Sequence, residues 1–467
     1  MHSKSVVIAV FLLITATFAL AATPATMRLD YFHTGKSGEQ TFSVDRVVIE
    51  PLPWPGNPAK AVDDSNLGVY LFEVTDRASG KLLYSRGFAS IFGEWATTEE
   101  AQRVHRTFHE SLRFPAPTAP VKVVMKQRDA QNNFRAVWST EIDPTDKYID
   151  RSHAPAPAPL IPVEKNGDPA TKVDLLFLGE GYSAAESAKC EKDVRRLAEG
   201  VFAVSPFKER RKDFNVWAIC AASPESGVSH PSVGQYRRTL FDSTFDVFGT
   251  ERYALSFNNR AIREVASYAP YEFLGIVMNE KEYGNGGIFG QYASVSIDYP
   301  TGVSVFVHEF GHHFAGLGDE YYFNANVAYA AVPNKVEPWE PNITALLDPK
   351  ALKWKSLVNA STPLPTPWPK AEYENSILET QPKVKQMRAE KRPEAEISAF
   401  LRGQRKKQES YLNGGDYADK VGAFEGAMYE TKGYYRSQQR CIMISGPTFC
   451  AACRLALERV IDMYTAN

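Results

Sequence analysis

The sequence predicts two structured parts, an all-β sandwich followed by an α/β domain. Three observations carry that reading. Residues 26–150 consist of short runs that alternate apolar and polar side chains, with turn-forming residues between them. A proline-rich stretch, APAPAP at 154–159, then interrupts the pattern and reads as a stiff, extended linker. From 171 onward, strand-like apolar runs alternate with helical stretches, which is the pattern of helices layered on a sheet.

Taken in order, residues 2–22 read as an export signal. Lys4 precedes the apolar run VVIAVFLLI at 6–14, and Ala19, Ala21 and Ala22 offer small residues for cleavage. That apolar core is short for a membrane span, and no cysteine follows it as a lipid anchor would require. The expected location is therefore secreted or periplasmic, with no stable membrane span once the signal is removed. The expected organisation is a signal peptide at 1–22, a β-sandwich at 23–155, a linker at 156–170 and a catalytic domain at 171–467. Residues 324–410 read as an insertion, because a proline-rich segment there gives way to a charged, helix-prone one.

Within the β part, 69–74 (VYLFEV) and 81–85 (KLLYS) flank the turn residues 76–80 (DRASG). Likewise 121–125 (VKVVM) and 134–138 (FRAVW) flank 129–133 (DAQNN). Both pairs predict hairpins. His105 and His109 are four apart but lack a following glutamate or acidic turn, so they read as surface or packing residues. In the α/β part, strands are expected at 173–178, 214–220, 271–278 and 293–297, with a helix over 184–202.

The chemistry concentrates in HEFGH at 308–312. His308 and His312 sit at i and i+4 and so project from one helix face, where they can share one zinc ion. Glu309 follows the first of them, the position of the general base in zinc peptidases. Pro300 and Gly302 precede the helix and Gly316 suits its left-handed end. A hydrolytic zinc site needs three protein ligands and one open position. Asp319 is the favoured third ligand and Glu320 the alternative; whichever does not bind the metal would orient a histidine or close the turn. His313 faces about 100° away and reads as a packed or hydrogen-bonded histidine.

These motifs have company. Residues 173–182 (VDLLFLGEGY), Phe207, 214–217 (FNVW), 223–227 (SPESG), 283–287 (YGNGG) and 308–321 stand in an order that resembles the M64 peptidase family. That bacterial group includes the IgA-specific metalloendopeptidases. The resemblance runs from about residue 170 to 455, and the preceding residues are similar to the family's N-terminal β domain. It implies proteolysis with one catalytic Zn²⁺ on a zincin scaffold of metzincin-like α/β type, and it leaves the substrate open. One departure stands out. Metzincins carry a third histidine six residues after the second, following H-E-x-x-H-x-x-G, whereas here the glycine comes one residue later and the candidate ligands are acidic. The resemblance also places a methionine turn near the C-terminus, for which Met443 is the candidate. Tyr434 and Tyr435 are candidate donors to the reacting carbonyl. Gly286 and Gly287 would form a rim, or an edge that pairs with an extended substrate backbone.

Five cysteines remain. Cys190 with Cys220 is one plausible bridge, and Cys441 with Cys450 or Cys453 another, which leaves one thiol free. Cys450 and Cys453 could instead be redox-active or metal-binding, but a structural zinc would need four ligands and only three cysteines lie nearby, so a bridge is the expectation. The net charge of −2 gives no reason to expect a nucleic-acid partner. The basic run Arg402, Arg405, Lys406 and Lys407 reads as a solvated helix face. The resulting expectation is an exported zinc endopeptidase acting on proteins or glycoproteins. Two alternatives stand beside it: an exported zinc-containing protein that binds a host glycan or protein, and a zinc amidase acting on a glycan or cell-wall peptide. The intact Glu309 argues against pure binding, and product analysis separates the two hydrolases.

Overall fold

The computed structural model describes residues 23–322 and 336–465. The expected signal at 1–22 and the first part of the expected insertion lie outside those residues.

The N-terminal part holds strands β1 (Ala25–Lys36), β2 (Glu39–Pro53), β3 (Tyr70–Asp76) and β4 (Leu82–Phe88), a short helix α1 (Ile91–Trp95), and β5 (Arg106–Pro115), β6 (Val121–Arg128) and β7 (Phe134–Ile142). They form two antiparallel sheets, β2-β1-β5 and β4-β3-β6-β7. Both expected hairpins are present, as β3 with β4 and β6 with β7. Alternate residues point inward: Met27, Leu29 and Tyr31 of the first sheet meet Phe72, Val74, Val121, Val123 and Met125 of the second in one core. His105 precedes β5 and His109 lies on it, so they share no helical face. His109 instead contacts Asp45 and Asn259 in a part-buried polar network.

The C-terminal part is mixed α/β. Its strands are β8 (Leu160–Glu164), β9 (Val173–Glu180), β10 (Phe214–Ile219), β11 (Phe273–Met278), β12 (Asn285–Ile288) and β13 (Tyr292–Ser296). Helix α2 (Ser187–Val201) follows β9, α3 (Asn259–Ala266) precedes β11, and α4 (Gly302–Ala315) follows β13. The sheet order is β12-β13-β11-β9-β10-β8, parallel in its centre and antiparallel at both edges. All eight residues of β9 are buried, because both faces of the sheet are covered. Leu175 and Phe177 face α2 and α4. Leu176 and Leu178 face α3 and the N-terminal residues Phe92 and Trp95.

One expectation on boundaries is corrected. Residues 160–164, read as linker, form the edge strand β8 against β10. Leu160, Ile161 and Val163 supply apolar packing, and Pro162 is tolerated because an edge strand has one side free of ladder bonds.

Beyond α4 come β14 (Ile343–Thr344), helices α5 (Lys370–Ala389) and α6 (Glu394–Leu412), strands β15 (Phe424–Ala427) and β16 (Glu430–Arg436), and α7 (Ala451–Tyr464). Helices α5 and α6 meet through Val384, Met387 and Ile397. The β14-β16-β15 sheet packs beside the end of α4 through Asn342, which bonds both the N–H and the C=O of Gly318.

The two parts are joined by buried charge. Arg28 of β1 bonds Asp30, Glu50, the Arg263 carbonyl and Glu264. Arg113 of β5 bonds Glu50 and the Tyr271 carbonyl and lies over the Tyr271 ring at 3.6 Å. Groups this well satisfied tolerate burial, and losing one partner would leave an uncompensated charge inside the protein.

Candidate metal centre and cleft

Helix α4 buries Phe306, Val307, Phe310 and Phe314 against the sheet, and this fixes the opposite face toward a cleft. It stops at Gly316, which adopts φ 60°, the left-handed conformation that glycine tolerates best. The chain then turns back so that Asp319 meets the histidines. Nε2 of His308 and of His312 are 3.1 Å apart. Asp319 Oδ1 lies 3.1 Å from the first and 3.3 Å from the second.

These three edges match a tetrahedral zinc site, whose N and O ligands at about 2.0–2.1 Å stand roughly 3.3 Å from each other. Two further observations fit a cation. Each imidazole donates Nδ1–H to a backbone carbonyl, His308 to Ile442 and His312 to Leu317, which turns the Nε2 lone pairs toward the common point. Asp319 Oδ1 is buried, and no well-aligned hydrogen bond reaches it although both imidazole nitrogens lie close by. Burial works against charge on both histidines, yet Asp319 holds them above their ordinary value, His312 at about 9. Asp319 also resists burial, and the two imidazoles keep it well below the usual carboxylate range.

Glu309 is buried beside the triad. Burial raises its carboxyl above the ordinary value, while His308 and His312 oppose that. Glu320 takes a different direction from Asp319. Its carboxylate accepts from Asn342 at 3.0 Å and lies 3.2 Å from the sulfurs of Cys450 and Cys453. The two acids thus face different ways, Asp319 toward the histidines and Glu320 toward the cysteines. His313 is buried and tethers α4 to the sheet, with Nδ1 donating to the Ile288 carbonyl and Nε2 accepting from the Leu274 N–H. Burial holds it neutral, at about 3.

Met443 lies beneath α4, where a Cβ added to Gly311 would sit 3.2 Å from its sulfur. Its carbonyl accepts the Glu320 N–H. Tyr434 is buried between Ile343, Ala345 and Ala427, and neither it nor Tyr435 lines the cleft. The tyrosines that line it on the metal-ligand side are Tyr321 and Tyr429, with Tyr70 and Tyr253 in its outer walls. The hydroxyl of Tyr429 donates to Asp319 Oδ2.

Gly287 lines the cleft and Gly286 does not. On the outer side of β12 the Asn285 N–H and C=O pair with Arg252 and Ala254. Gly287, two residues on, presents its backbone on that same side. A side chain at 287 would also collide with α4, since its Cβ would lie 2.3 Å from the Glu309 carbonyl oxygen.

The cleft measures about 950 Å³ and has two walls. One is the α/β part, including Arg252, Tyr253, Trp339 and Glu340. The other belongs to the N-terminal part: the turn around Gly38, Tyr70, Phe92 and Gln127. Sequence reasoning missed this wall, together with Arg252, Tyr321 and Tyr429. The only available signal for Tyr429 was its place in the turn between two short strands.

The disulfide Cys190–Cys220 is present. The expected second bridge is not. Cys441, Cys450 and Cys453 are free, buried thiols. The sulfurs of Cys441 and Cys453 are 3.6 Å apart, far beyond the covalent distance of about 2.05 Å.

Comparison with known proteins supplies the class. Residues 161–461 match the family described as IgA Peptidase M64, and residues 17–139 match its companion, Peptidase M64 N-terminus. The protein is thus a peptidase, a hydrolase acting on protein substrates. More narrowly, the chain belongs to the M64 peptidase family. No curated protein matches it. Among the described residues, no helix is long and apolar enough to cross a membrane.

Proposed function

We propose that the protein is an exported zinc endopeptidase that cleaves peptide bonds in proteins or glycoproteins, with His308, His312 and Asp319 holding the metal and Glu309 as general base. The observation that carries this reading is the convergence of three ligand atoms at zinc-site spacing, with a buried carboxylate next to them in a large cleft. In this reading the scaffold is metzincin-like: a histidine-bearing helix beside an antiparallel edge strand, with Met443 as the apolar floor. The disulfide Cys190–Cys220 accords with export to an oxidising compartment.

When bound, Zn²⁺ supplies Lewis acidity and lowers the pKa of water toward about 7. Glu309 accepts the proton of the attacking water and delivers it to the leaving amine. Burial raises the Glu309 carboxyl above its ordinary value, against the opposing charges of His308 and His312 and, least, of Arg252, which suits a group that must take up a proton. The Ile442 and Leu317 carbonyls hold the two imidazoles in the tautomer the metal requires. The backbone of Gly287 offers an edge on which an extended substrate pairs. The N-terminal wall of the cleft then contacts the same substrate, which gives the β part a role in selecting it.

The test compares wild type with Glu309→Gln on casein, IgA and other glycoproteins, reading products by mass spectrometry and metal content in parallel. General-base catalysis contributes about 10²–10⁴-fold, so the variant should retain its metal and lose activity by that factor. Near-normal cleavage by Glu309→Gln would refute the mechanism. Cleavage confined to glycan or cell-wall amide bonds would replace the endopeptidase by an amidase.

A further inference from the structure

Three buried cysteines and a buried glutamate form a second cluster, behind the turn that carries Asp319. Glu320, Cys441, Cys450 and Cys453 each offer a ligand atom, and these atoms lie within 4.8 Å of one another. All four residues are buried. We propose that this cluster is a structural zinc site, Cys₃Glu, distinct from the centre at His308, His312 and Asp319.

The spacing is that of tetrahedral coordination. With Zn–S near 2.3 Å and Zn–O near 2.0–2.2 Å, sulfurs stand about 3.8 Å apart and sulfur and oxygen about 3.5 Å. Cys441 and Cys453 are 3.6 Å apart, and Glu320 Oε1 is 3.2 Å from both Cys450 and Cys453. The surroundings suit anionic sulfur. The Cys450 N–H donates to Cys441 Sγ at 3.2 Å. Cys450 Sγ receives the Ser437 hydroxyl at 3.1 Å and the Cys453 N–H at 3.5 Å. Cys450 caps the 14-residue helix α7, whose N-terminal dipole favours negative charge. Arg436 is fully buried within electrostatic range of Glu320 and Cys441, so it offsets part of the charge that four anionic ligands leave over on a divalent ion.

The alternatives fit less well. A disulfide would strand the third thiol and the carboxylate. A metal-free cluster leaves the buried Glu320 carboxylate against the sulfurs of Cys450 and Cys453 with only Asn342 donating to its Oε1, a costly burial for an acid with no cation beside that oxygen. The acidic group Asp30, Asp45 and His109 also draws ligand atoms together, but Arg28, Arg46 and Arg260 already neutralise it.

The site would act on the first centre through the backbone. Glu320 follows Asp319, and its N–H bonds the Met443 carbonyl at 2.8 Å, while the neighbouring Ile442 carbonyl orients His308. One ion at the cluster would therefore clamp the Asp319 turn, the Cys441–Met443 turn and the start of α7 together.

The experiment uses the full chain, purified without chelator. Metal content is measured on wild type, His312→Ala, Cys453→Ser and Glu320→Gln, and each protein is also prepared with Co²⁺ as a spectroscopic probe. We expect about two zinc ions in wild type and one in each variant, as two four-coordinate sites require. A sulfur-to-cobalt charge-transfer band should appear in wild type and persist in His312→Ala. Should Cys453→Ser fail to fold, the wild-type cobalt spectrum and Glu320→Gln still decide. The proposal is overturned if wild type shows no thiolate–cobalt band, if its three thiols alkylate freely in the native state, or if peptide mapping finds two of them bridged. Failure of the catalytic reading looks different: the metal count of His312→Ala would then equal that of wild type.

Discussion

Tyr429 donates its hydroxyl to Oδ2 of Asp319, while Oδ1 of the same carboxylate faces His308 and His312. The backbone bears a cost for this contact. Met428 and Tyr429 form the two-residue turn between β15 and β16, and both have positive φ, 50° and 62°. Side chains other than glycine lose on the order of 1–3 kcal/mol in such conformations. Two bonds hold the turn in place, from Met428 N–H to the Asp319 carbonyl and from Tyr429 N–H to the Tyr321 carbonyl. Strain located against a candidate ligand is the pattern expected of a functional position.

Tyr429→Phe removes that donor and keeps the ring. Partners of this kind typically contribute about 10–100-fold to metal affinity, so competition with a chromophoric chelator should show a loss of that size. Affinity and turnover both equal to wild type would exclude Tyr429 from the centre.

Gly287→Ala places a methyl group against backbone, 2.3 Å from the Glu309 carbonyl oxygen and 3.1 Å from its Cα. Backbone cannot yield as a flexible side chain does, so α4 must shift away from β12. We expect a destabilisation of about 1–3 kcal/mol in urea unfolding. Activity should fall further than the loss of folded protein explains, because Glu309 moves with the helix. A variant with wild-type stability would contradict the tight packing described above.

Asp174 gives a pH prediction away from either metal cluster. Burial pushes its carboxyl up to about 6, against hydrogen bonds from Trp217 and Asn215. Glu272 is raised as well, first by burial and then by Asp174. A carboxyl whose folded pKa exceeds its unfolded value binds an extra proton in the folded state. Stability therefore declines as pH rises from about 4 through 6, and the full cost is present above that window. Asp174→Asn removes the ionisation and should stabilise the protein at pH 8 relative to wild type, by on the order of 3 kcal/mol, with little gain at pH 4. Equal differences at both pH values would show that Asp174 ionises normally.

Local pattern made much of the fold readable. The hairpins at β3–β4 and β6–β7 announce themselves through alternation and turn residues, and α4 through aromatic residues at helical spacing and a terminal glycine. The Asp319 turn was readable only up to a choice of two. Asp319 and Glu320 lie seven and eight residues past His312, and their order along the chain does not say which points inward. Tyr434 and Tyr435 drew attention by lying near Met443, yet the β-hairpin puts Tyr429 in the cleft and Tyr434 in a small core.

The sequence by itself determined that His308, Glu309 and His312 stand together, because one helical turn brings those groups to one place without help from the rest of the chain. It also determined the two-part architecture, since strand and helix periodicities are local. The tertiary structure decided everything that joins distant segments. Glu320 stands more than a hundred residues before the three cysteines it meets, so counting cysteines along the chain could not reveal a fourth ligand. The N-terminal wall of the cleft was equally hidden. It arises because apolar α1 covers one face of the parallel sheet and because Arg28 and Arg113 find their partners across the junction, contacts set by burial and charge neutralisation in three dimensions.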